Sequence, residues 1–459
     1  MLIFNRYFLS ALGLLLCLSS VHAAAPSLKD IEQKALAGDA SAAVTAGLAF
    51  VNGAGVPKNE SRALSLFRMA AAQGDARGQY NLCAIYSSSA VFKDPDLALK
   101  NCKLAAEQNY PAAEYALSKI YETGQGVAVD KQRAIKYLKD AADHGMVTAQ
   151  YEMGVYLSRT TVKGKFDNAG IEKYLLGAAR GGHVLAMRRL ADFYLIQSDN
   201  AAIEAQNLLN SDGAVEPPEM VEVVIDRTAQ KNNTRTATPN TKKVTKSEAL
   251  IGSAIEWFEA AGAKNDQPSL TKLCPIYDDQ KTVYYNAAKA LDYCERAANL
   301  GEVAVMAYIA DKYHFGRGVP QNDSIAADWY QRAADNGDLA AMRNLGAMLI
   351  LGLGRTADVE LGVSLITKSA EAGNREAQLE LSNLLLEGKR LKLNIPKGVE
   401  WLAKSAEQGL SEAQLSLGIR YLNGDGVTQD LNQAVSWFRK ASAQGEPNST
   451  KWLREKGYR

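Results

Sequence analysis

The chain has 459 residues, 47% of them hydrophobic, 22% charged and 8% aromatic, and its 52 Lys and Arg offset 51 Asp and Glu to a net charge of +1. That balance excludes a general binder of nucleic acid or anionic membrane, which carries a basic surplus, and the apolar content excludes a disordered chain. Four His and five Cys leave little material for a multi-ligand metal site, and no cofactor is implied.

Residues 1–23 read as a secretory signal peptide. Arg6 supplies the positive charge, an apolar run covers 7–18, and Val21-His22-Ala23 provides the small-residue cleavage pattern, with the cut after Ala23. The run is too short for the roughly 20 residues of a membrane-spanning helix. Leu16 precedes Cys17 where a lipid-attachment signal wants a small residue, so no lipid anchor is expected. The mature chain is therefore expected to be exported and not membrane-spanning.

After the signal peptide the sequence repeats. Blocks run 39–74, 75–109, 110–145 and 146–182, and an atypical block starts at His183. Five blocks of 36 residues follow at 266–301, 302–337, 338–373, 374–409 and 410–445, each ending in a stretch of small residues and Gly, as in Arg332-Ala333-Ala334-Asp335-Asn336-Gly337. A period of this length marks stacked supersecondary units. In the last block, apolar residues at helical spacing over 413–421 predict helix A, and Gly424-Asp425-Gly426 stops it. Asp430 is placed to cap helix B over 434–441, as are Asp130 and Asp323 in their blocks. Trp257, Trp329, Trp401 and Trp437 recur at one helix-B position and read as core. The predicted organisation is repeats over 27–196, a polar insertion over 197–247, repeats over 248–445 and a tail over 446–459.

The insertion splits one block. Leu190 and Tyr194 mark its helix A over 183–196, and the matching helix B appears only at 254–261. Residues 201–209 suit one more helix. The stretch 216–246, with Pro217-Pro218 and Lys242-Lys243, buries too little apolar surface to order itself easily and reads as a solvated loop or a partner-binding arm. Residues 220–225 are β-prone and suited to adding an edge to a partner's sheet.

Four Cys remain after signal cleavage. Cys83 and Cys274 each follow the core Leu of a helix A, and Cys102 and Cys294 each stand three residues before an Ala-Ala pair in helix B. Two blocks thus place Cys at the same two positions, which predicts disulfides Cys83–Cys102 and Cys274–Cys294 rather than four buried thiols. Such bonds persist in an oxidising compartment such as the periplasm.

The pattern Ala-x-x-x-Leu-Gly-x-x-Tyr-x-x-Gly-x-Gly-Val, then Ala-x-x-Trp-x-x-x-Ala-Ala-x-x-Gly, resembles the Sel-one-like repeat family, a branch of the tetratricopeptide superfamily. It is explicit at Gly53-Ala54-Gly55-Val56, Gly124-Gln125-Gly126-Val127, Gly316-Arg317-Gly318-Val319 and Gly424-Asp425-Gly426-Val427. The double-Gly turn is degraded at 87–93, 158–168 and 386–395. The resemblance implies an all-α fold, a right-handed α-solenoid of stacked antiparallel helix pairs with a 36-residue repeat, serving as an adaptor or scaffold without a reaction. It also implies that the residue before the core Leu of helix A faces a concave groove. Those positions are Asn81, Ala116, Glu152, Arg189, Lys272, Tyr308, Asn344, Glu380 and Ser416, with Asp192 and Asp311 one turn further on.

The reading is a periplasmic scaffold that holds envelope proteins in this groove. The alternative is an envelope scaffold that binds peptidoglycan or exported polysaccharide. The third and weakest is a penicillin-interacting enzyme. It rests on Ser269-Leu270-Thr271-Lys272, which has the nucleophile spacing of that class, and on Ser198-Asp199-Asn200, but their order is reversed and the Lys-Thr-Gly element is missing. His144, His183 and His314 have no Ser or Cys partner at motif spacing and read as caps or solvated side chains.

Overall fold

The computed structural model describes residues 27–161, 165–210, 220–224 and 241–458. The signal peptide reading of 1–23 and the Cys17 question lie outside the described residues. The chain divides into two compact units, Met1–His183 and Val184–Arg459.

In the first unit, α1 (Leu28–Leu36) leads into four helix pairs. These are α2 (Ala40–Asn52) with α3 (Glu60–Ala72), α4 (Ala76–Ser88) with α5 (Pro95–Ala106), α6 (Pro111–Thr123) with α7 (Lys131–Asp143), and α8 (Val147–Leu157) with α9 (Asn168–Arg180). The second unit opens with α10 (Val184–Asn210), β1 (Met220–Val224), β2 (Thr241–Thr245) and α11 (Lys246–Gly262). Pairs follow: α12 (Gln267–Asp278) with α13 (Ala287–Asn299), α14 (Val303–Phe315) with α15 (Asp323–Asp335), α16 (Leu339–Leu351) with α17 (Val359–Glu371), α18 (Arg375–Glu387) with α19 (Ile395–Glu407), and α20 (Ser411–Asn423) with α21 (Leu431–Ala443). Helix α22 (Pro447–Glu455) closes the unit on α21. Within each unit, the two helices of a pair pack on one another and helix B packs on helix A of the next pair, the stacking of an α-solenoid.

The local chemistry is the same in block after block. Gly424 stops α20 at φ 81°, a left-handed conformation that a side chain resists, and its amide donates to the Arg420 carbonyl at 2.8 Å. Asp430 then caps α21 by accepting the Asn432 and Gln433 amides, and Asp130 caps α7 from Arg133 at 2.9 Å. Asp323 departs from expectation. Asn322 is the cap of α15, accepting the Ile325 amide at 3.1 Å, which leaves Asp323 inside the first turn and free to bind His314. Helices approach closely where a side chain is missing: a Cβ on Gly418 would sit 2.7 Å from the Phe438 ring.

The core is a ladder of equivalent residues, with Leu82, Leu117, Leu190, Leu273, Leu345 and Leu417 all buried. Trp401 and Trp437 are buried as expected, whereas Trp257 and Trp329 are only half-buried. Their outer faces explain the position: Arg332, Lys404 and Lys440 lie 4.0, 4.1 and 3.8 Å from the centroids of Trp329, Trp401 and Trp437. The rings thus roof the core and carry a cation on top. Disulfides Cys83–Cys102 and Cys274–Cys294 join α4 to α5 and α12 to α13, with Cα atoms 5.2 and 5.1 Å apart.

The described parts of the insertion carry regular structure. Helix α10 does not stop at 196 but continues through the suspected helix at 201–209 to Asn210. Strand β1 does not wait for a partner protein. It pairs antiparallel with β2, Met220 opposite Thr245, and so forms a hairpin within the chain. Ser198 ties the α10 extension to the start of α11 by bonding Ser247. Thr245 caps α11 in a capping box with Glu248. Residues 211–219 and 225–240 lie outside the described residues.

Candidate functional site

In the second unit, the A helices α12, α14, α16 and α18 carry Lys272, Tyr308, Asn344 and Glu380 at the position before the core residue. Lys272 on α12 and Arg189 on α10 are exposed and bear on Asp192, which is half-buried. Burial pushes the Asp192 carboxyl up, against the pull of Lys272, Arg188 and Arg189. Arg188 itself pairs with Asp266 at 3.3 Å.

Tyr308, one block further, is not a free groove residue. Its hydroxyl donates to Asp278 at the end of α12, and Lys312 donates to the other oxygen of the same carboxylate. The Lys312 side chain is 2% exposed, so its charge is compensated where it lies. Burial and the Asp278 carboxylate push the Tyr308 hydroxyl up, so it stays a donor.

The next turn is organised by Tyr330 of α15. Its hydroxyl donates to Asp311. Around these groups a cleft of about 360 Å3 opens between α14 and α16, and Arg343, Phe315 and Leu351 line it as well. Arg343 reaches Glu380 on α18 across 3.7 Å, and its Nε is buried with no hydrogen-bond partner. Burial pushes the Glu380 carboxyl up despite that guanidinium. Phe315 and Leu351 are 56% and 54% exposed. They hold the last helix-A position, where other blocks carry Asn52, Thr123, Glu387 and Asn423. This cluster was missed in reading the sequence, yet aligning the block ends reveals it: two adjacent repeats put large apolar residues where most others are polar, Ile196 in the block from His183 being the exception.

The first-unit positions are spent internally. Asn81 is buried and donates to the Arg77 carbonyl at 2.8 Å. Glu152 accepts from Tyr115 at 2.6 Å and Lys119 at 2.8 Å. Ala116, and Ser416 in the second unit, are half-buried.

The sequence profile of the Sel1 repeat matches nine segments, 40–75, 76–110, 111–146, 248–266, 269–302, 304–338, 339–374, 375–410 and 411–446. The chain belongs to the Sel1 repeat family. Among solved structures, it is similar to a protective antigen present in uropathogenic Escherichia coli strains that displays an SLR fold. The two are 26% identical with a TM-score of 0.47, over 94% of this chain and 90% of that one. It is also similar to a Sel1 repeat protein from Oxalobacter formigenes, 21% identical with a TM-score of 0.41 over 96% and 97%. An immunity protein from Pseudomonas aeruginosa matches over 40% of this chain and 67% of its own, at 20% identity and a TM-score of 0.30. No curated protein matches by sequence. Sel1 repeats generally mediate protein–protein interactions.

The Sel1 repeat frame also accounts for the residues with catalytic spacing. Ser269 is fully buried in the first turn of α12, and its hydroxyl donates to the capping Asp266 at 2.6 Å, while Lys272 points to solvent. Ser269 is thus a helix-start residue, not a nucleophile facing a base. His144 is the C-cap of α7 and is exposed, as read, and each of the three described histidines also has a side-chain neighbour. His144 lies 2.8 Å from the buried Glu114, His314 lies 2.7 Å from Asp323, and His183 stacks on Tyr151. Among the described residues no group of three or more His, Cys, Asp or Glu is placed to hold a metal ion, and no helix is long and apolar enough to cross a membrane.

Proposed function

We propose that the protein is an exported envelope adaptor that holds a partner protein against the A-helix face of its second unit. The observation that carries this is the contrast within α14 and α16. Ile309 and Leu345 are fully buried and keep the repeat frame, while Phe315 and Leu351 are large and apolar at a position that is polar in most other blocks and, with Asn344, line an open cleft. A frame held constant under a changing, partly apolar face is the arrangement of a repeat protein that recognises something. Export to the periplasm is supported by the leader pattern over 1–23 and by two disulfides, which persist in an oxidising compartment.

Photo-crosslinking in cells tests the reading. A photoreactive residue at 344 or 272 is expected to capture a defined envelope protein, whereas one at 439, exposed on α21, is expected to capture none. Equal capture from all three positions, or capture from 439 alone, overturns it. Binding of the purified protein to cell-wall sacculi without protein capture would establish the glycan reading in its place.

A further inference from the structure

Resting on the adaptor reading, we infer that the α14–α16 cleft takes an extended segment of its partner carrying a large apolar side chain next to a carboxylate. Three observations converge. First, the rims of the cleft are apolar by exception: Phe315 and Leu351 are more than half exposed at a position that is polar in most other blocks. Water-exposed apolar area of this kind is stabilised by covering it. Second, the cleft measures about 360 Å3, near the lower end of the roughly 300–1,000 Å3 of ligand pockets. It admits a short segment rather than a folded face.

Third, the charges around the cleft are unequally satisfied. Asp311 already accepts from Tyr330, and Asp323 already holds His314. Arg343 has five donors but makes a long 3.7 Å ion pair with Glu380 and leaves Nε unpartnered. Arg317 is exposed and lies over the Phe315 ring, 4.7 Å from its centroid. The unmet capacity here therefore belongs to guanidinium groups, whose best complement is a carboxylate. An apolar side chain seated between Phe315 and Leu351 would bring an adjacent acidic residue to Arg343 or Arg317. Asn344, which also lines the cleft, would offer its amide to the segment's backbone.

The test is selection of random 12-residue peptides displayed on phage against the mature disulfide-bonded protein. Fluorescence anisotropy with the enriched peptides, synthesised and labelled, then measures affinity. The expected consensus is Leu, Met or Phe within two residues of Asp or Glu. Phe315→Ser and Leu351→Ser should each weaken binding about tenfold, and both residues are exposed enough that the fold, checked by thermal melting, should survive. Replacing the peptide's acid by its amide should cost about tenfold against the parent protein and almost nothing against an Arg343→Gln, Arg317→Gln double variant. A basic or purely polar consensus, no enrichment at all, or binding indifferent to both Phe315→Ser and Leu351→Ser overturns the inference. If the crosslink from position 344 still captures its partner after Phe315→Ser and Leu351→Ser, the adaptor reading stands while this inference falls.

Discussion

The first unit and the α14–α18 stretch of the second treat their polar side chains differently. In the first, Asp143 is saturated: it takes hydrogen bonds from Lys139, Lys173 and Tyr174, which outweigh its burial and hold the carboxyl well below the usual carboxylate range. Glu114 and Glu152 are likewise met by His144, Tyr115 and Lys119. In the second unit the pair Arg343–Glu380 is long, Arg343 Nε is unpartnered, and burial raises the Glu380 carboxyl. A repeat whose polar groups are closed on one another is a spacer; a repeat with unmet donors and exposed aromatic or aliphatic rims is equipped to meet something else. The same fold does both, because the frame residues and the facing residues are separate sets.

Four measurements break or sharpen this contrast, in decreasing order of effect. The disulfides are the common baseline. They close loops of nearly equal size, with separations of 19 and 20 residues, so C83S/C102S and C274S/C294S should each cost about 3 kcal/mol in urea unfolding. Very unequal losses would show that the units differ in more than their polar groups. Next comes the tie between the start of helix A and the end of helix B. In the α6–α7 block it is Glu114 to His144, while in three other blocks, one of them in the first unit, it is an amide pair: Gln79 to Gln108, Gln378 to Gln408 and Gln414 to Gln444, each at 2.8 Å. His144→Ala strands a buried carboxylate and should cost about 2 kcal/mol, against about 1 kcal/mol for Gln408→Ala. Equal costs would remove the distinction.

Third is the acid limb. A carboxyl depressed in the folded state contributes stability above its unfolded value, near pH 4, and loses it as pH falls further. Asp143→Asn should therefore flatten the fall in melting temperature below pH 4, and an unchanged limb would mean that Asp143 is not saturated in solution. The smallest effect has the opposite sign. The Glu380 carboxyl is raised on folding, so ionisation costs stability at neutral pH, and the cost is relieved as pH falls. Glu380→Gln should raise the melting temperature slightly at pH 7 and by less at pH 5. A drop at pH 7 would show that the long contact with Arg343 is worth more than its desolvation cost.

Much of the frame was legible in the sequence, because it is written in repetition. Helix pairs, left-handed glycines and the cysteine pairing all follow from one position recurring across blocks, each occurrence checking the others. Facing residues have no such check. Tyr308 looks like a groove aromatic in its own block, and only the neighbouring block shows that Asp278 claims its hydroxyl. Asn81 is similar: its amide turns inward to its own helix. The hairpin was half legible. Residues 220–224 have strand character, but nothing local says that 241–245 is the mate, since pairing across a long polar stretch is non-local information. Asp323 shows the finer limit, as a cap shifts by one residue when Asn322 offers an equivalent oxygen.

The hairpin also settles how the second unit tolerates added length. Because β1 and β2 run antiparallel with Val224 opposite Thr241, those two residues stand one strand spacing apart, about 5 Å. The joint is a ready-made socket. A foreign domain whose own ends lie close together can be spliced in there as a reporter or tether, and the repeats on either side keep their register.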